Sequence, residues 1–127
     1  PAAVEGSLNG LLSTDFREAH PDALSRIAEW RLAEDADREA YEAHRAAVEE
    51  FDLSDALFEV TTPALVVHGT DDTVCPVTAA ETLAEGLPRG EITTVEGARH
   101  LVGVEASAAV NDLLVGWLAE HATDRFE

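Results

Sequence analysis

Two adjoining stretches decide how this chain is read: PALVVHGTDDTVCP (residues 63–76) and LAEGLPRGEITTVEGARH (residues 83–100). Ala64 to His68 is a short, β-branched apolar run that follows a proline and is stopped by Gly69, the pattern of a strand buried on both faces. Thr78 to Glu85 reads as a helix with Ala79, Ala80, Leu83 and Ala84 turned inward and Gly86 as its stop. Glu91 to Val95 reads as a second strand. Beyond it, Ala106, Val110, Leu113, Leu114, Trp117 and Leu118 recur at helical spacing and predict a long closing helix to His121. Strand, loop, helix, strand, loop, helix implies a parallel βαβ connection and the α/β class.

Working outward, the first 60 residues change character, and every periodic stretch there is helical. Asp15 opens a D-x-x-E start with Glu18, and Pro21 suits the first position of a helix carrying Leu24, Ile27 and Ala28 to about Leu32 or Ala33. Asp35 or Asp37 is placed to cap the next helix, in which Tyr41, His44, Val48 and Phe51 share one face. Ser54 begins a short turn through Phe58. Two parallel strands are too few for a sheet that must be covered on both faces, so the expectation is a portion of a larger fold.

The 63–100 region resembles the C-terminal part of the α/β-hydrolase superfamily. There, a strand ending in Gly is followed by G-x-x-D-x-x-x-P, and the next strand by a G-x-x-H turn. Gly69-Thr70-Asp71-Asp72 with Pro76 answers the first element, and Gly97-Ala98-Arg99-His100 the second. The resemblance extends over about residues 40 to 121. It implies an α/β-hydrolase C-terminal segment with two parallel strands flanked by helices (residues 61–127). Residues 1–60 then become a helical cap and its return to the core. In its wording the return looks most like lactonase- or esterase-type members such as 3-oxoadipate enol-lactonases. Haloperoxidases, epoxide hydrolases and C–C hydrolases share the same two loops.

In a parallel sheet, loops at the carboxyl ends of neighbouring strands emerge side by side, so Asp72 and His100 should converge at one rim. A carboxylate that accepts from one imidazole nitrogen orients the ring and leaves the other nitrogen free to take a proton. The expected catalytic residues are therefore Asp72 as acid and His100 as base, with Asp71 as the competing acid. Acid before histidine agrees with the chain order of this fold. No G-x-S-x-G nucleophile elbow occurs in the sequence, and the oxyanion hole built around that elbow is missing with it. The expected role is thus to supply the acid and histidine of a Ser-Asp-His triad acting on esters or lactones, with the serine outside these residues. The competing reading is an inactive remnant that self-associates through its open sheet edge.

For substrate contacts, the cap reading nominates Trp30 and Tyr41, with Phe16 and Phe51 beside them; helix faces packed on one another are the plainer alternative. Arg99 either anchors an acidic substrate group or only offsets Glu96 and Glu105. His68 reads as a rim residue rather than a second base, and Cys75 as a small hydrophobe rather than a nucleophile. The five histidines show no metal-ligand spacing and there is no phosphate loop, so no metal or other cofactor is expected.

Charge narrows the partners. With 26 acidic residues against 8 basic ones in 127, the formal net charge is −18. Every basic residue is Arg, and the acids are spread along the whole length. Such a surface repels phosphate backbones and anionic leaflets, so neither nucleic acid nor membrane is an expected partner. No signal-peptide pattern opens the chain, and a single cysteine fits a reducing compartment, so the expected location is the cytoplasm. An evenly distributed acidic coat with no Lys also fits a high-salt milieu, where a Debye length of about 3 Å at 1 M screens the self-repulsion. Far-UV circular dichroism is accordingly expected to show more structure in multimolar KCl than in dilute buffer; superimposable spectra would refute salt adaptation.

Overall fold

A computed structural model describes residues 2–33 and 37–122. Along the chain it runs α1 (Ala2–Leu11), α2 (Thr14–Ala19), α3 (Pro21–Ala33), α4 (Arg38–Glu50), a 3-10 turn (Ser54–Glu59), β1 (Ala64–Gly69), α5 (Val77–Gly86), β2 (Gly90–Val95), α6 (Val102–Glu105) and α7 (Ser107–His121). β1 and β2 pair in parallel, from Ala64 opposite Gly90 to Gly69 opposite Val95. The α5 crossover covers the pair. This is the α/β arrangement that the alternation of elements predicts.

Local chemistry accounts for most of the boundaries. Pro21 opens α3, and the Asp37 side chain caps α4 by accepting the Ala40 N–H at 2.8 Å. Asp35, the other candidate cap, lies outside the described residues. The start of α2 differs from the expectation: its cap is Ser13, whose hydroxyl accepts the Phe16 N–H, while Asp15 sits in the first turn, where its charge still favours the helix. Apolar spacing does not mark helix α1, yet Leu8 and Leu12 at its end are the most enclosed side chains of the described core.

The rest of that core is small: Ala80, Ala84, Ala98 and Val110. Ala80 and Ala84 turn inward on α5 as expected, whereas Ala79 and Leu83 are exposed. Residues 64–68 of β1 are only half-buried, not enclosed on both faces. The closing helix expected from Ala106 to His121 is α7, which starts at Ser107, with the short α6 preceding it. Val110 is buried, but Leu114, Val115 and Leu118 stay exposed, because a two-stranded sheet is too narrow to cover a helix that is apolar round most of its girth. On α4 the expected apolar face is present and uncovered, with Tyr41 63%, Val48 74% and Phe51 68% exposed.

The accessible surface is 9154 Å², against about 6600 Å² expected for a compact monomer of this mass. The surplus is the area of a large interface. Exposed large apolar side chains on α3, α4 and α7 contribute to it.

Two glycines set the geometry at the top of the strands. A Cβ on Gly69 would lie 2.2 Å from the Ala98 carbonyl oxygen and 2.6 Å from that of Arg99. Gly97 turns the β2 loop with φ +71°, the left-handed region that favours glycine. Gly69→Ala is therefore expected to lower unfolding stability by about 1–3 kcal/mol, the usual scale of overpacking, read by denaturant titration in high salt. Gly103→Ala, which meets nothing within 4 Å, should be tolerated.

Candidate active site

Because β1 and β2 end level, the loops that follow them leave the sheet side by side. They are stitched together before any side chain of interest is reached. The Thr70 N–H donates to Val95 O and the Asp71 N–H to Ala98 O, each at 3.0 Å. The Gly97 N–H in turn donates to the Thr70 hydroxyl at 2.8 Å.

On this frame Asp72 and His100 meet, with Asp72 Oδ2 2.8 Å from His100 Nδ1. An ionised carboxylate only accepts, so Nδ1 carries the proton and Nε2 presents its lone pair. The Asp72 side chain is 3% exposed and the His100 ring 37% exposed, so the acid is enclosed and the base reaches outward. Asp71, by contrast, is exposed and accepts from the Thr70 hydroxyl. Of the two neighbouring aspartates, only Asp72 touches the histidine among the described residues.

The other Asp72 oxygen is equally occupied. Oδ1 accepts the N–H groups of Val74 at 2.8 Å and Cys75 at 2.9 Å. His68 contributes what the sequence did not disclose. Its Nε2 donates to the Cys75 carbonyl at 2.8 Å and lies 3.3 Å from Asp72 Oδ2. A carbonyl cannot donate, so that nitrogen is the protonated one, and His68 fastens the acid loop rather than serving as a second base. Cys75 likewise works through its backbone. Burial alone would raise the Asp72 pKa. Hydrogen bonds from the Cys75 N–H, His100 and the Val74 N–H, with a smaller electrostatic contribution from His100, outweigh it and hold the carboxyl below its ordinary value.

The remaining expected contacts are dispersed. Trp30, 61% exposed on α3, lies under the Arg26 guanidinium at 5.6 Å, and Tyr41 projects from α4. Among the described residues no hydrogen bond or ring contact joins either to Asp72 or His100. Arg99 adjoins the histidine, but its guanidinium donates to the Asn9 carbonyl instead of offsetting Glu96 or Glu105. Glu105 takes the Arg99 backbone N–H instead, at 2.8 Å. A cleft of about 320 Å³ between α1, α2 and α3, lined by Leu8, Arg17, Leu24 and Ala28 among others, includes none of the five expected site residues. No group of three or more His, Cys, Asp or Glu among the described residues is placed to hold a metal ion, and no helix there is long and apolar enough to cross a membrane.

Comparison with known proteins places the chain in a family. The α/β-hydrolase family model described as TAP-like protein matches residues 34–126. The chain belongs to this family. Within the α/β-hydrolases it is 37% identical over 73 residues to the proposed carbamate hydrolase RutD of Rhizobium rhizogenes, covering 58% of this chain and 28% of that protein. The RutD of Serratia proteamaculans is 27% identical over 108 residues, covering 85% of this chain and 40% of that protein.

Among solved structures, the enol-lactonase from Burkholderia xenovorans LB400 superposes with a TM-score of 0.78 at 25% identity, over 93% of this chain and 44% of that one. Est816, described as an N-acyl homoserine lactone degrading enzyme, gives 0.77 at 25% identity, over 91% and 46%. The chain thus spans less than half the length of these relatives and corresponds to the C-terminal portion of the α/β-hydrolase fold.

A depressed carboxyl stabilises the fold above its unfolded-state pKa, and that contribution is lost as pH falls through the folded value. The stability difference between wild type and Asp72→Asn is therefore expected to shrink as pH is lowered from about 5 to 2. Denaturant titrations across that range measure it, and a pH-independent difference would contradict the assignment.

Proposed function

We propose that this chain supplies the acid and base of a serine hydrolase acting on esters or lactones, with the nucleophile and oxyanion donors contributed by sequence outside these 127 residues. The observation that carries this reading is the 2.8 Å contact between enclosed Asp72 and outward-facing His100 at the ends of adjacent parallel strands. The activities for which similar proteins are named, lactone degradation, enol-lactone hydrolysis and carbamate hydrolysis, all concern acyl carbonyls and support the same class.

In this mechanism His100 Nε2 accepts the hydroxyl proton as the serine oxygen bonds to the substrate carbonyl carbon. The imidazolium, oriented and stabilised by Asp72, returns that proton to the departing alkoxide as the C–O bond breaks. Water then attacks the acyl-enzyme by the same relay, giving the acid and restoring the serine. Residues 1–60 roof the pocket as a cap, and Trp30 and Tyr41 face substrate once the remaining wall is present, while the Arg99 guanidinium stays on the Asn9 carbonyl. The exposed α4 and α7 faces, uncovered here, support such a wall.

Two measurements test the proposal. The first combines intact mass, in high salt, of everything that co-purifies with the chain and p-nitrophenyl ester turnover on the same sample. A nucleophile-bearing polypeptide with burst kinetics is expected. A lone 13.6 kDa species or its homo-oligomer without turnover would favour the self-associating remnant. In an active preparation Asp72→Asn should lower kcat by about 10³–10⁴, while Asp71→Asn stays within a few-fold. The reverse pattern would reassign the acid.

A further inference from the structure

His100 sits on a stretch between β2 and α6 that has no regular structure of its own. A catalytic ring must nevertheless be held to within about 0.5 Å of its working position. The residues on either side of it show how. The Leu101 N–H donates to the Leu11 carbonyl at 3.0 Å. The Arg99 N–H donates to Glu105 Oε1 at 2.8 Å, and the other oxygen of that carboxylate, Oε2, accepts the Ser13 N–H at 3.0 Å from 92 residues away.

We propose that Glu105 is a positioning residue that locks the His100 loop to the junction between α1 and α2, so that the base is in register only while the cap segment is docked. The inference rests on the proposed role of Asp72 and His100. It adds a residue that the triad logic does not call for and that sequence spacing treated only as a neighbouring negative charge.

The chemistry requires a carboxylate in this place. Two backbone donors, one from each loop, converge on a half-buried side chain with two acceptor oxygens. A glutamine offers one oxygen and would set its NH₂ against the other N–H. The connection is also cooperative in direction. The α1 end takes further donors from both loops, since the Thr73 hydroxyl reaches Gly10 O and the Arg99 guanidinium reaches Asn9 O. The helix-end carbonyls that would otherwise lack partners are thereby spent on the acid loop and the histidine loop together. Glu105 is the acidic side chain that joins residues 13 and 99 across this junction.

The test follows solvent exchange of the His100 Nδ1–H and of the Ser13 and Arg99 amides by NMR, on the full chain in high salt, for wild type, Glu105→Gln, Glu105→Ala and the exposed control Glu96→Gln. Expected are exchange about tenfold faster or more at all three protons in Glu105→Ala, the scale of losing one hydrogen bond. In Glu105→Gln at least one of the two amides and the Nδ1–H should accelerate, with β1, β2 and α5 amides unchanged in both. Glu96→Gln should match wild type. Unaltered Nδ1–H exchange in both Glu105 variants overturns the proposal. Uniform acceleration throughout β1, β2 and α5 also overturns it, by showing a general structural role. Asp72→Asn separates the two levels: if it leaves Nδ1–H exchange unchanged, the Asp72–His100 reading itself fails, whereas an effect of Asp72→Asn without one of Glu105 defeats only the present inference.

Discussion

Everything of chemical interest here depends on how closely the ends of two parallel strands approach. Six residue pairs bring Gly69 level with Val95, and the missing side chain at 69 lets the Ala98 and Arg99 carbonyls press against the end of β1. With a methyl group at 69, the loops would have to separate. Asp72 and His100 belong to different loops, so their 2.8 Å contact is a consequence of that approach. Backbone pairing sets the distance, and the side chains inherit it.

The hydrogen-bond economy around Asp72 follows from its enclosure. A carboxylate removed from water must have its lone pairs satisfied. Val74 and Cys75 take one oxygen; His100, with His68 nearby, takes the other. Each bond also shapes the loop, so keeping the acid ionised and holding it in place are one structural event. His68 extends this by tying the Cys75 carbonyl back toward the end of β1. The histidine loop is treated differently, being held from outside by Leu11 and Glu105. The acid loop is largely self-supporting, and the base loop leans on the helical segment before it.

The periphery is as informative as the centre. The surplus surface, the exposed faces of α4 and α7 and a sheet of two strands all describe half of a layered architecture whose matching relatives are more than twice as long. An acidic coat of net charge −18 surrounds it.

What the sequence determined by itself was local: the β1 and β2 strands from their β-branched runs, α3 and α4 from Pro21, Asp37 and the spacing of apolar residues, and the α/β class from their alternation. The motif register also singled out Asp72 and His100, because residues at the carboxyl ends of adjacent parallel strands have to meet. Spacing could not reveal α1, which packs on α3 and whose last carbonyls take donors from Thr73, Arg99 and Leu101, nor the partial exposure of β1 and α7, since periodicity reports which face is apolar and says nothing of whether a partner covers it. Only the tertiary structure decided that Ser13 rather than Asp15 caps α2 and that His68 fastens the acid loop. It alone showed that the Arg99 guanidinium turns to a helix-end carbonyl while Glu105 takes the Arg99 N–H. For the bonds that Arg99 and Glu105 make to the α1–α2 junction, the physical reason is separation along the chain. A hydrogen bond formed across 92 residues depends on where two backbones come to rest, and no pattern within either segment carries that information.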